Sequence, residues 1–86
     1  MPSKKVSPAP DPDTIEITPL GIELQRLRMD AGLTLDQLAE RTGIPRNTIH
    51  RYENHHLNPT AKALLRLAIG LGINISELVK PLNHLR

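Results

Sequence analysis

The sequence predicts an all-α protein: a compact bundle of short helices behind a flexible N-terminal tail. Three observations lead there. Phe and Trp are absent and Tyr52 is the lone aromatic, so the core must be built from Leu, Ile, Val and Ala, which favours helices over a sandwich. Apolar residues recur at helical spacing between recognisable starts and stops. Residues 34–54, inside LTLDQLAERTGIPRNTIHRYEN, carry the spacing of a helix, a tight turn and a second helix.

Within that stretch, Thr34 followed by Gln37 forms a capping box. Gly43 falls where the helix should end in a left-handed residue. Pro45 is suited to the first position of the next helix. If so, Ile44 becomes the cap, offers no side-chain acceptor, and leaves first-turn amides free for a phosphate. Ala39 is small where the second helix must pass closely, and Ile49 plugs the angle between the two.

At 100° per residue the second helix places Pro45, Thr48, Ile49 and Tyr52 on one side and Arg46, Asn47, His50, Arg51 and Asn54 on the other. Arg can bond guanine O6 and N7 together, and Asn can bond adenine N6 and N7. Arg46, Asn47, His50 and Arg51 are therefore candidates for reading base edges in a major groove of double-stranded DNA. A solvated polar face is the plainer alternative.

The remaining elements follow in order. Residues 1–18 hold four prolines and little to bury, and are expected to form a disordered or extended tail. TIEIT, residues 14–18, alternates as a short strand would. An arm that orders on DNA or on a protein partner is the sharper expectation for it. The folded domain is expected over residues 19–80 and a C-terminal tail over 81–86. Pro19 starts the first helix, Leu20, Leu24 and Leu27 form its buried stripe, and Gly32 ends it. Pro59 and Thr60 open a fourth helix with the stripe Leu64, Leu67, Ala68 and Leu71, closed by Gly72. Asn74 and Glu77 cap a short fifth helix, which Pro81 stops. Ile75, Val79, Leu82 and Leu85 are more apolar than a monomer surface needs, and are expected to form a dimer interface. Packing of the tail over the core is the alternative.

The succession LGIELQRLRMDAGLT, LDQLAERTGI, TIHRYEN, NPTAKALLRLAIGLGI and SELV resembles, in order and spacing, the Cro/repressor-like helix-turn-helix family, also called the xenobiotic-response-element type. The resemblance runs from about residue 20 to 79. It implies a lambda-repressor-like DNA-binding domain of five short helices, dimeric binding to an inverted-repeat operator, and repression. It also implies a structural ion pair between Arg28 and Glu53. The sequence departs from the family at three places. Leu35 stands where a phosphate-gripping Gln is common, Pro45 where a capping Ser or Thr is common, and His55 where Gly often follows Glu-Asn. Asn54 or His55 must then take the left-handed conformation, or the loop another path. Leu35, Pro45, Asn54, His55 and His56 remain the candidates for contacting the DNA backbone.

Charge fits this picture locally rather than globally. The net charge is only +2, but between Arg41 and His56 three Arg and three His face one acid, Glu53. A metal site at His50, His55 and His56 is disfavoured by their spacing, and no cofactor is implied. No Cys, no Gly-rich phosphate loop and no carboxylate pair beside a histidine argue against an enzyme. No apolar run approaches the ~20 residues that span a bilayer, so a cytoplasmic, nucleoid-associated protein is expected. A toxin-binding antitoxin or other protein-capturing module is the alternative function.

Overall fold

The computed structural model describes residues 17–85, with side chains as far as Leu82. Five α-helices follow in order: α1 Thr18–Asp30, α2 Leu35–Thr42, α3 Arg46–Glu53, α4 Ala61–Leu71 and α5 Ile75–Val79. A 3-10 helix, Lys80–Leu85, closes the described chain, and no strand occurs among the described residues. Thr14 to Glu16 of the anticipated strand lie outside the described residues, while Ile17 and Thr18 form the N-cap and first residue of α1.

Helix α1 packs on α3, α5 and the 3-10 helix, while α2 packs on α3 and α4. Their meeting point is made of Leu24, Leu38, Ile49, Leu67 and Leu78, one fully buried side chain from each helix. Tyr52, Ile44 and Leu71 surround it. Complete burial of a Leu or Ile stabilises by about 1.5–3 kcal/mol relative to exposure, so these five carry much of the fold. The segment expected to trail from residue 81 is instead coiled against α1 and α5, with Leu82 packed on the core. Pro81 changes the helix type there and does not stop the chain, because a residue near a helix start needs no amide donor.

Local signals account for most boundaries. The Thr34 hydroxyl accepts from the Gln37 amide at 3.1 Å, and the Gln37 side chain accepts from the Thr34 amide at 2.8 Å. Gly43 ends α2 at φ 74°, a left-handed conformation that costs a residue with a Cβ about 1–2 kcal/mol. Thr60 caps α4 by accepting from the Ala63 amide at 3.1 Å. Two starts differ from expectation. Pro45 is the N-cap of α3 at ψ 143°, and the helix begins at Arg46. Ile44 turns inward, its amide held by the Thr42 hydroxyl at 3.1 Å. Asn74 occupies the N-cap of α5, but its side chain makes no capping bond.

Two helix crossings are so close that only glycine fits. A Cβ on Gly21 would stand 2.5 Å from the Tyr52 carbonyl oxygen, and one on Gly70 would stand 2.6 Å from the Thr42 methyl. These contacts bring α1 onto α3 and α2 onto α4.

Candidate nucleic-acid interface

Helix α3 is built to be held from behind. Ile49, Tyr52 and Glu53 are buried, Thr48 is half-buried, and Arg46, Asn47, His50, Arg51 and Asn54 are exposed. At its C-terminal end Glu53 receives Arg28 through two bonds, Nε to Oε2 at 2.7 Å and Nη2 to Oε1 at 3.0 Å. The third arm of the guanidinium, Nη1, donates to the Leu33 carbonyl at 2.8 Å. One side chain thus ties α1, the α1–α2 turn and the last residue of α3 together. The two side chains are only 12% and 1% exposed, so solvent screens the pair weakly. Its hydrogen bonds to Glu53 raise the Arg28 pKa above its ordinary value, against the opposing effect of burial.

The turn that follows α3 is a Schellman motif. The His55 amide donates to the Tyr52 carbonyl at 3.4 Å and the His56 amide to the Arg51 carbonyl at 2.9 Å. Its left-handed residue is His55, at φ 67°, where α1 and α4 use Gly32 and Gly72 in equivalent turns. The His55 imidazole lies over Gly21 of α1 and occupies the space that a Cβ there would need. Asn54 spends one donor on the end of its own helix, Nδ2 to the His50 carbonyl at 2.8 Å. His56 is exposed.

The expected site residues fall into three groups. Arg46, Asn47, His50 and Arg51 project together from one exposed face. Pro45 and His56 stand exposed at the two ends of that helix, while Leu35 is half-buried against the core at the start of α2. Ile75, Val79 and Leu82 are half-buried, and the side chain of Leu85 lies outside the described residues. Of the basic cluster, Arg41 is turned away to bond the Gly70 carbonyl near the end of α4, at 3.2 Å. Lys62 and Arg66, both exposed, lie across a groove from Pro45 and Thr48, on the side of α3 away from its polar face. Among the described residues, no three His, Asp or Glu side chains gather as metal ligands, and no helix is long and apolar enough to cross a membrane.

Two features lay beyond sequence reasoning. Asp36, in the first turn of α2, lies 3.3 Å from Arg46 through Oδ1 and Nε. Leu78, not Ile75 or Val79, is the fully buried residue of α5.

A polar, hydrogen-bonding helix presented by a preceding helix and turn is the arrangement of a helix-turn-helix. The chain belongs to the Helix-turn-helix family, of the Cro/repressor-like type, which matches residues 24–78. It is a DNA-binding protein of the transcription-regulator class.

Its relatives agree. It is 32% identical over 62 residues to the HTH-type transcriptional regulator SutR of Escherichia coli, a match covering 72% of this chain and 35% of SutR. It is 36% identical over 62 residues to the HTH-type transcriptional regulator y4dJ of Sinorhizobium fredii, covering 72% and 80% of the two chains. The chain therefore matches only about a third of SutR but most of y4dJ. Among solved structures it resembles the restriction-modification controller protein C.AhdI of Aeromonas hydrophila, with a TM-score of 0.68, 32% identity, and 69% and 89% coverage. An HTH_3 family transcriptional regulator from Vibrio cholerae superposes with a TM-score of 0.71 at 28% identity, covering 76% of this chain and 38% of that one.

Proposed function

We propose that this protein is a repressor that binds an inverted-repeat operator as a homodimer. The observation that carries this reading is the exposed face of α3, where Arg46, Asn47, His50 and Arg51 project together from a helix clamped by Arg28 and Glu53. These four read base edges. Asn54, His55, His56 and Pro45 meet the DNA backbone at the two ends of the helix, joined by Leu35 and by Lys62 and Arg66 across the groove. A two-fold axis places the second α3 one DNA turn away, ~34 Å, so the half-sites are inverted and spaced accordingly. The dimer contact lies around Ile75, Val79, Leu82 and Leu85. It is supported by Ile69, 76% exposed on α4, which packs against α5. Similarity to a restriction-modification controller protein fits a small regulator of this kind.

The test is selection of binding sites from random duplexes with the full chain, followed by footprinting. An inverted repeat protected by a dimer is the expected result. Arg46→Ala should then weaken the selected site by about 1–3 kcal/mol and relax preference at one base pair. Equal loss on scrambled DNA would remove Arg46 from the readers.

A second reading, capture of a protein partner in the manner of an antitoxin, is favoured by Leu65 and Ile69. They stand 52% and 76% exposed one turn apart. Of the N-terminal tail assigned to that role, residues 1–16 lie outside the described residues, while Ile17 and Thr18 belong to the start of α1. A partner held by apolar contact stays bound in salt that strips DNA, and co-purification at high salt distinguishes the two.

A further inference from the structure

Asp36 is 80% exposed and Arg46 54% exposed, and they face each other from the first turns of α2 and α3. A pair this open contributes little to folding. An exposed carboxylate beside a surface that meets a polyanion also weakens general attraction to DNA. An acid in the first turn of α2 favours that helix through its dipole by about 0.3–1 kcal/mol, but any first-turn position would serve that purpose, and it does not account for the contact with Arg46.

The geometry of the contact supplies a reason. Asp36 Oδ1 approaches Arg46 at Nε, 3.3 Å away, and that is the inner nitrogen of the guanidinium. Nη1 and Nη2 make no hydrogen bond to any described residue. They form the fork that meets guanine O6 and N7. The contact is one of charge and not a hydrogen bond, so the acid draws the guanidinium toward the start of α2 while leaving its working end open. It also restrains a long side chain before DNA arrives, so less freedom is lost on binding. Its charge repels phosphate, which keeps Arg46 from settling on the backbone and directs it to a base. Arg51, further along the same face, has no such neighbour among the described residues.

We infer that Asp36 is a positioning residue for base recognition, holding the Arg46 guanidinium in the orientation that selects guanine. The inference rests on Arg46 being a base reader, as proposed above. It exchanges some overall affinity for discrimination at one base pair.

The experiment uses the full chain, the site that it selects from random duplexes, the three base substitutions at the pair whose preference Arg46→Ala removes, and a scrambled duplex. Binding is read by fluorescence anisotropy, with the melting temperature of each variant measured alongside. The unaltered protein should prefer guanine there by about 5- to 150-fold, the range that one paired contact provides. Asp36→Ala should lower that preference several-fold, leave the other positions unchanged, and bind scrambled DNA more tightly. Asp36→Glu should recover part of the preference. Asp36→Asn, which keeps the size and a weaker acceptor, should fall between. The double variant should discriminate no worse than Arg46→Ala alone.

Full guanine preference in Asp36→Ala, with loss in Arg46→Ala, would overturn the positioning role and leave the base reader standing. Equal weakening on every sequence by Asp36→Ala would do the same. No position losing preference in Arg46→Ala, or no site selected at all, would overturn both.

Discussion

His55 holds a backbone conformation that suits glycine, and it does so to close the turn after α3. The left-handed state costs a side-chain-bearing residue about 1–2 kcal/mol, while glycine loses about 0.5–1 kcal/mol more chain entropy on folding. His55→Gly should therefore raise stability by up to about 1 kcal/mol in urea unfolding, less whatever the imidazole gains over Gly21. Marked destabilisation would mean that the contact with α1 dominates the turn. Arg28 presents the opposite case. Arg28→Ala leaves Glu53, 1% exposed, with an uncompensated charge and should cost about 3–5 kcal/mol in the same assay. Arg28→Lys should retain only part of this, because an ammonium cannot reproduce the paired bonds or reach the Leu33 carbonyl in the same plane. Twenty-five positions separate Arg28 from Glu53. No local pattern links them, and the pairing was legible only through resemblance to the family.

Between elements, glycines at crossings decide how closely helices approach. Gly70→Ala gains about 1 kcal/mol of helix propensity but drives a methyl into the Thr42 methyl, and overpacking of this kind costs about 1–3 kcal/mol. Thr42 cannot easily swing aside, since its hydroxyl both donates to the Leu38 carbonyl at 2.8 Å and accepts from the Ile44 amide. Thr42→Ser removes the obstructing methyl and keeps the hydroxyl. A double-mutant cycle by thermal unfolding should therefore give a favourable coupling for the pair of changes, and additive losses would show that the methyl is not the obstacle. Gly21 has no such remedy, because its obstacle is the Tyr52 backbone. Element ends were mostly legible in sequence. Thr34 with Gln37, Gly43, Thr60 and Gly72 act through neighbours one turn away, and such signals survive without knowledge of the fold. The crossings at Gly21 and Gly70 and the turning of Arg41 onto α4 were not legible, since each depends on which helix lies alongside. Leu78 was missed for another reason: α5 is five residues long, too short for spacing to define its buried side.

For the whole molecule, charge placement matters more than its sum. A net charge of +2 attracts DNA weakly, so the proposed function would have affinity rest on the basic groups around α3 and the start of α4. If Lys62 meets a phosphate, Lys62→Ala should weaken selected and scrambled duplexes about equally and reduce the slope of log K against log salt by about 1. Anisotropy titrations over a range of salt check both effects, and an unchanged slope would place Lys62 away from the backbone. Arg41 provides the contrast. Its bond to the Gly70 carbonyl makes it a helix-end ligand, and its removal should appear in stability before it appears in the salt slope.

The meeting of one sealed side chain from each of five helices has a consequence for how a cell would experience this protein. With Leu24, Leu38, Ile49, Leu67 and Leu78 sharing one interior, melting of any one helix would uncover the buried side chains of the other four, which couples their unfolding. Backbone amides across all five helices should then exchange with deuterium at rates set by the same global opening. A lesion at Leu78, in the shortest helix, would yield a heat-sensitive allele: regulation intact when cool, and abruptly absent on warming.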